Sequence, residues 1–180
     1  MDSHPEVLKK DRLFEGRKVA LEVHHVRAPD GRLTTREIVC HRGSVAVLAF
    51  PEAGTLLLER VWRYAVGAAM YEIPAGTLEP GEGPAACAAR ELAEETGYTV
   101  GRLERLLAVY PSPGILTELL TIYLAHDLRA GEPGREPGEE IENVLVPVDE
   151  ALAMVRDGRI ADAKTVSAIL FWDRFRRGAG

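Results

Sequence analysis

Residues Gly76–Tyr98 read GTLEPGEGPAACAARELAEETGY, and this stretch decides how the rest of the chain is understood. Pro84 suits the first position of a helix, and Gly97 supplies a left-handed stop, so the spacing predicts a helix from Pro84 to about Thr96. On that helix Glu91, Glu94 and Glu95 stand at i, i+3 and i+4, on one face. Like charges at this spacing repel by roughly 0.2–0.5 kcal/mol per pair, so a merely solvated helix gains from interleaving the signs. A divalent cation over that face reverses the sign of the effect, and an oxygen-only ligand set favours a hard ion, magnesium or manganese. Arg90, four residues before Glu94, braces one carboxylate. Glu82 sits at the helix start, where the macrodipole favours negative charge. Ala85, Ala88, Ala89, Leu92 and Ala93 form a small apolar face that can lie close to a sheet. Gly76 and Gly81 allow the preceding loop to fold against the helix and present the carbonyl of Ala75 to the metal.

Outward from this helix, Lys18–Arg27 and Arg32–Cys40 flank Pro29-Asp30-Gly31 and read as a β-hairpin. Ser44–Phe50 and Thr55–Arg63 read as a second pair around Glu52-Ala53-Gly54. Tyr71-Glu72-Ile73 is a short strand ending at Pro74 and Gly76. After the helix come strands at Leu103–Tyr110 and Leu119–Leu128, then the loop Arg129–Glu140, rich in Gly, Pro and Glu. That loop has no apolar period and is long enough to suggest a function. Val144-Leu145-Val146 is a last short strand. Asp149–Arg156 and Asp162–Arg176 read as helices, with Leu152 and Val155 on one apolar face and Val166, Ile169, Leu170 and Phe175 on the other. Strands with few helices in mixed order give an α+β class, sandwich-like, with helices flanking a mixed sheet. We expect residues 1–42 to form an N-terminal hairpin extension and 43–180 a single globular unit.

The chain has 180 residues, 46% hydrophobic and 28% charged, ordinary for one folded domain. A net charge of −6 argues against a nucleic acid partner and requires a cation to mediate any anionic substrate. Cys40 and Cys87 are too few for a disulfide framework and read as reduced residues. No apolar run approaches the ~18 residues that span a bilayer, and the first residues are no signal peptide, which points to a cytoplasmic protein without a membrane partner. His24 and His25, adjacent in a strand, face opposite ways and cannot share a metal. They read as structural or surface residues, as do His41 and His126.

The stretch quoted above resembles the Nudix box, and Gly76, Glu82, Arg90, Glu91, Leu92, Glu94, Glu95 and Gly97 meet its pattern. Tyr98 departs from the aliphatic residue usual at the end. The resemblance implies a Nudix fold and a magnesium-dependent hydrolase. It makes Glu91 and Glu95 principal metal ligands and catalytic residues, Glu94 a third ligand, and Ala75 the donor of a carbonyl. Beyond the box, Arg60–Tyr64, Glu72–Gly76, Tyr110–Gly114 and Glu118 are similar to the ADP-ribose pyrophosphatase branch. That likeness implies substrate contacts from Arg36, Glu37, Arg63, Ser112 and Glu118. It also implies a general base at Glu139, with Glu140 its rival, and a homodimer joined through the N-terminal hairpin.

Three functions compete. The first is hydrolysis of ADP-ribose to AMP and ribose 5-phosphate. The second keeps the metal site but takes another nucleoside diphosphate sugar, a dinucleotide polyphosphate or a nucleoside triphosphate. The third is a non-catalytic ADP-ribose sensor, which the intact box and the lack of a basic recognition helix disfavour. A messenger RNA decapping role lacks its basic RNA-binding extension.

Overall fold

Every residue of Ser44–Ala49 (β4) is buried, and so are Leu56–Glu59 in Thr55–Arg63 (β5). Such continuous runs mark central strands covered on both faces, which is why neither alternates. A computed structural model describes residues 4–135, 138 and 140–178. β4 pairs in parallel with Leu120–His126 (β9) and antiparallel with Ala75–Thr77 (β7). Arg102–Val109 (β8) completes this sheet in the order β7-β4-β9-β8. β5 lies instead between Ile141–Pro147 (β10) and Ala68–Glu72 (β6). The expected pairing of Ser44–Phe50 with Thr55–Arg63 is therefore corrected. A tight turn does join them, Thr55 N–H donating to Glu52 O at 3.1 Å, but each strand enters a different sheet.

Pro84–Thr96 (α1), Val148–Asp157 (α2) and Ala163–Phe175 (α3) flank these sheets. Val45, Val47, Ala49 and Leu57 bury against Cys87, Ala88 and Leu92 of α1. The alternate residues Ala46, Leu48, Leu56 and Leu58 bury with Ala151, Met154, Ala168 and Ile169 of α2 and α3. The fold is α+β, with mixed sheets between flanking helices. Two helix faces differ from the sequence reading. Ala85 is exposed while Cys87 and Thr96 are buried, and Leu170 and Phe175 are exposed while Thr165 is fully buried. Thr165 tolerates burial because its hydroxyl accepts from Ile73 N–H at 2.9 Å and donates to the N-cap Asp162 at 2.6 Å.

The chain divides into two compact units, of which the one just described comprises Ser44–Val109 and Leu120–Gly180. The other comprises the chain up to Gly43 together with Tyr110–Leu119. It holds a three-stranded antiparallel sheet of Glu6–Glu15 (β1), Val19–Arg27 (β2) and Leu33–His41 (β3), in that order. β1 extends the two-stranded hairpin read from the sequence. Within this unit Val39 N–H donates to Ile115 O at 2.7 Å, and Thr117 N–H to Val39 O at 3.0 Å. The segment 110–119 thus belongs beside β3.

Candidate active site

Gly83 caps α1 in extended backbone, Pro84 follows at the first turn, and Gly97 ends the helix at φ 81°, its N–H bonded to Ala93 O at 2.9 Å. β7, directly before the loop into the helix, lies along one side of it. Gly76 belongs to β7 rather than to a loop, and the carboxyl of Glu91 occupies the place a side chain there would need. Only glycine lets strand and carboxylate approach so closely. On the next turn Glu95 Oε2 accepts from Ala75 N–H at 3.0 Å. Ala75, Glu91 and Glu95 are thereby gathered on one surface of the same unit.

Arg90 organises the remaining carboxylates. Its guanidinium grips Glu82 with two bonds of 2.9 Å, and its Nη1 reaches Glu91 at 2.9 Å and Glu94 at 3.0 Å. Glu82 is not in the first turn. Arg90, together with the backbone N–H of Glu79 at 3.0 Å, holds its pKa down to about 2. Burial pushes the Glu91 carboxyl up, Arg90 opposes this, and the like charges of Glu94 and Glu82 add to it. Burial, followed by neighbouring Glu82, raises the Cys87 thiol to about 12, so this thiol is not a nucleophile.

The donor set fits a hard divalent cation. It consists of carboxylate oxygens, one of them crowded by like charges and half-withdrawn from water, and a cation there lowers the cost of ionising Glu91. Among the described residues no three His, Cys, Asp or Glu side chains are already gathered as a metal cage. Arg90 engages Glu91 and Glu94, and Ala75 N–H engages one oxygen of Glu95.

A second charged cluster adjoins this face. Arg63, at the end of β5, binds Glu72 through Nε and Nη2 at 2.7 and 2.8 Å, and Lys164 binds the same carboxylate. Burial disfavours the charge on Glu72, but Arg63 and Lys164 outweigh it and hold the pKa below the usual carboxylate value. Glu95 and Asp162 add to the field that keeps Arg63 charged. Glu59, opposite Glu72 across the β5–β6 ladder, is only 2% exposed, and its Oε1 has no hydrogen-bond partner among the described residues. Burial pushes it up to about 7, against the pull of Arg135 and Arg63.

Sequence reasoning singled out neither Glu59 nor Glu72 as a site residue, and Lys164 entered it only within the helix Asp162–Arg176. Glu59 follows the apolar run Thr55–Leu58, which is the one signal that it lies within a buried strand. A cavity of about 630 Å³ lined by Phe50, Glu104, His126, Trp172 and Arg176 contains no box residue. Its lining mixes charged and apolar side chains without gathered carboxylates, whereas Glu91, Glu94 and Glu95 share one helix, so we take the α1 surface as the candidate site.

Arg36, Glu37, Ser112 and Glu118 all belong to the other unit. Arg36 and Glu37 are neighbours on β3 and face opposite ways. Arg36 is exposed and binds Thr35 O at 2.9 Å. Ser112 O accepts from Ile115 and Leu116 N–H in a turn, and Glu118 lies 4.0 Å from His41. Glu139 lies outside the described residues, while Glu140 is exposed.

Comparison with known proteins adds to this geometry. The NUDIX domain matches residues 41–169. An ADP-ribose pyrophosphatase of Bacillus subtilis (strain 168) is 39% identical over 168 residues, covering 92% of this chain and 91% of its own. A GDP-mannose pyrophosphatase of Cronobacter sakazakii is 35% identical over 179 residues, covering 92% and 93%. A crystal structure described as an ADP compounds hydrolase superposes with a TM-score of 0.85 over 99% of this chain and 97% of that one. Its 23% identity makes this a likeness of fold.

Proposed function

The chain belongs to the Nudix family, and from that premise we propose that this pyrophosphohydrolase cleaves ADP-ribose with water, releasing AMP and ribose 5-phosphate. The observation that carries the reading is the approach of Glu91 to Gly76, with Glu95 latched to Ala75 N–H on the same surface. Glu91, Glu95 and Glu94, with the Ala75 carbonyl, would hold magnesium, or manganese in its place. When bound, such a cation neutralises diphosphate charge and lowers the pKa of water.

The protein's own groups do the rest. Arg90 fixes the carboxylate rotamers and releases Glu94 when the charge balance changes. Arg63 spends two donors on Glu72 and keeps others for a phosphate or ribose oxygen. Because Glu72 is held by two cations and buried, Arg63 cannot swing freely, which fixes a charge-assisted donor in advance. Arg36, Glu37, Ser112 and Glu118 are our further candidates for substrate contact. We assign the proton of the attacking water to Glu139, with Glu140 the alternative. A homodimer and a cytoplasmic setting belong to the same reading, the latter supported by the free thiols of Cys40 and Cys87.

Likeness to the GDP-mannose pyrophosphatase keeps a second substrate in view. The test is turnover of a panel of nucleoside diphosphate sugars with magnesium, read as released phosphomonoester. We expect ADP-ribose to head kcat/KM. We expect Glu95→Gln to lower kcat by more than ~100-fold, since losing a direct ligand should exceed the 10–100-fold typical of an outer partner. GDP-mannose at the head would overturn the substrate. A fully active Glu95→Gln would overturn the metal face.

A further inference from the structure

A helix ends with its last carbonyls unpaired unless something reaches them. In α1 every one of these is bonded, and mostly from outside the helix. Ala93 O accepts from Gly97 N–H, and Glu94 O accepts from Gly134 N–H at 2.9 Å. Glu95 O accepts from Arg135 Nε at 2.8 Å, and Thr96 O from Asn143 Nδ2 at 3.1 Å. Arg135 and Asn143 are themselves joined, Nη2 to Oδ1 at 3.0 Å. The chain from Gly131 to Pro133 packs on Gly97 so closely that no side chain fits there. The last turn of α1 carries no basic residue of its own, so Arg135 brings the cation that its dipole favours.

The segment Gly131–Arg135, within the loop that the sequence shows only as rich in Gly, Pro and Glu, is therefore bound to the helix. Its bonds fall on two consecutive residues, Glu94 and Glu95, whose side chains belong to the proposed metal face. A carboxylate can be aimed at a cation only as accurately as its own backbone is held.

We propose that Gly134, Arg135 and Asn143 form a clamp that fixes the backbone of Glu94 and Glu95, and that Arg135 is a positioning residue for the divalent cation. This inference rests on the metal-dependent hydrolase reading given above. It has a distinctive sign. A guanidinium that acted on the cation only through its field would repel it, so neutralising Arg135 would tighten cation binding. A guanidinium that positions ligands does the reverse.

The test is Mn²⁺ binding to the full chain without substrate, followed by the electron paramagnetic resonance signal of the free ion. Arg135→Gln should weaken Mn²⁺ by ~10-fold or more, the usual loss when a ligand's outer partner is removed. Arg135→Lys should recover part of this, since an ammonium can reach the Glu95 carbonyl without also reaching Asn143. In turnover, kcat should fall at limiting metal and recover as Mn²⁺ is raised to saturation, with KM for ADP-ribose changed less than about twofold; a smaller folded fraction alone would instead lower kcat at every metal concentration. If Arg135→Gln does not fold, Asn143→Ala, which frees the Thr96 carbonyl and Arg135 Nη2 but leaves Arg135 Nε on the Glu95 carbonyl, should weaken Mn²⁺ in the same direction. Equal or tighter Mn²⁺ binding by a folded variant overturns the clamp and leaves the hydrolase reading intact. A wild-type protein that binds Mn²⁺ but turns over no nucleoside diphosphate overturns the hydrolase reading, while the binding comparison still decides the clamp. Absence of Mn²⁺ binding by the wild type overturns both.

Discussion

Gly76 and Glu59 are the residues where single atoms decide most. A methyl on Gly76 would fall inside the carboxyl of Glu91, and the strand behind it is held by β4, so the carboxylate must move instead. We expect Gly76→Ala to fold, to need more magnesium for half-maximal rate, and to lose at least ~10-fold in kcat. A metal titration of activity checks this, and an unchanged midpoint would show that Glu91 is no ligand. Glu59 affects stability with a definite sign. Its folded pKa is raised to about 7 from an ordinary 4.5, so between these values the folded state binds the extra proton. Stability from this group is complete below about pH 4.5 and is lost as pH rises through 7. Glu59→Gln removes the loss. The variant should match the wild type near pH 5 and exceed it at pH 8 by about 1–3 kcal/mol, measured by urea unfolding. A gain of equal size at both pH values would mean that burial of the charge is not its source.

At the scale of elements, what the sequence made legible was local. The bounds of α1 were readable because proline, glycine and the carboxylate spacing lie within one short segment, and the structure reproduces Pro84–Thr96. The gathering of Ala75, Glu91 and Glu95 was readable for the same reason. Pairing partners were not. β4 and β5 are joined by a tight turn, yet burial on both faces removes the alternation that tells which face meets which sheet. β1 carries Lys9, Lys10, Asp11 and Arg12 and is exposed almost throughout, so it shows neither the apolar period nor the turn signals of a strand. The cluster of Glu59, Arg63, Glu72 and Lys164 joins β5, β6 and α3, and a charged residue inside a strand ordinarily reads as surface. The attachment of the loop after β9 to α1 was not legible because its bonds run through backbone and through one arginine. Hydrogen bonds of that kind leave no period in the sequence.

For the molecule as a whole, β1 poses a question of covering. It is a ten-residue edge strand in which Val7, Leu8, Leu13 and Phe14 are exposed, with Val19 and Leu33 exposed nearby on β2 and β3. An open edge strand with apolar side chains at both ends can pair with another chain, and a second copy of this chain is the occupant our reading names. In a two-fold interface each side chain counts twice. At about 1.5–3 kcal/mol for burying one such residue, a single charged substitution costs the dimer ~3–6 kcal/mol. We therefore expect size-exclusion chromatography with light scattering to give about twice the chain mass of 19.7 kDa. We expect Phe14→Lys to dissociate it at micromolar concentration, because its dissociation constant rises by two decades or more. Turnover then separates two cases. If Arg36 serves the substrate across the subunit boundary, the dissociated variant should show a raised KM for ADP-ribose with kcat held. A wild-type monomer would sink the dimer, and a dissociated variant with unaltered KM would confine Arg36 to its own subunit.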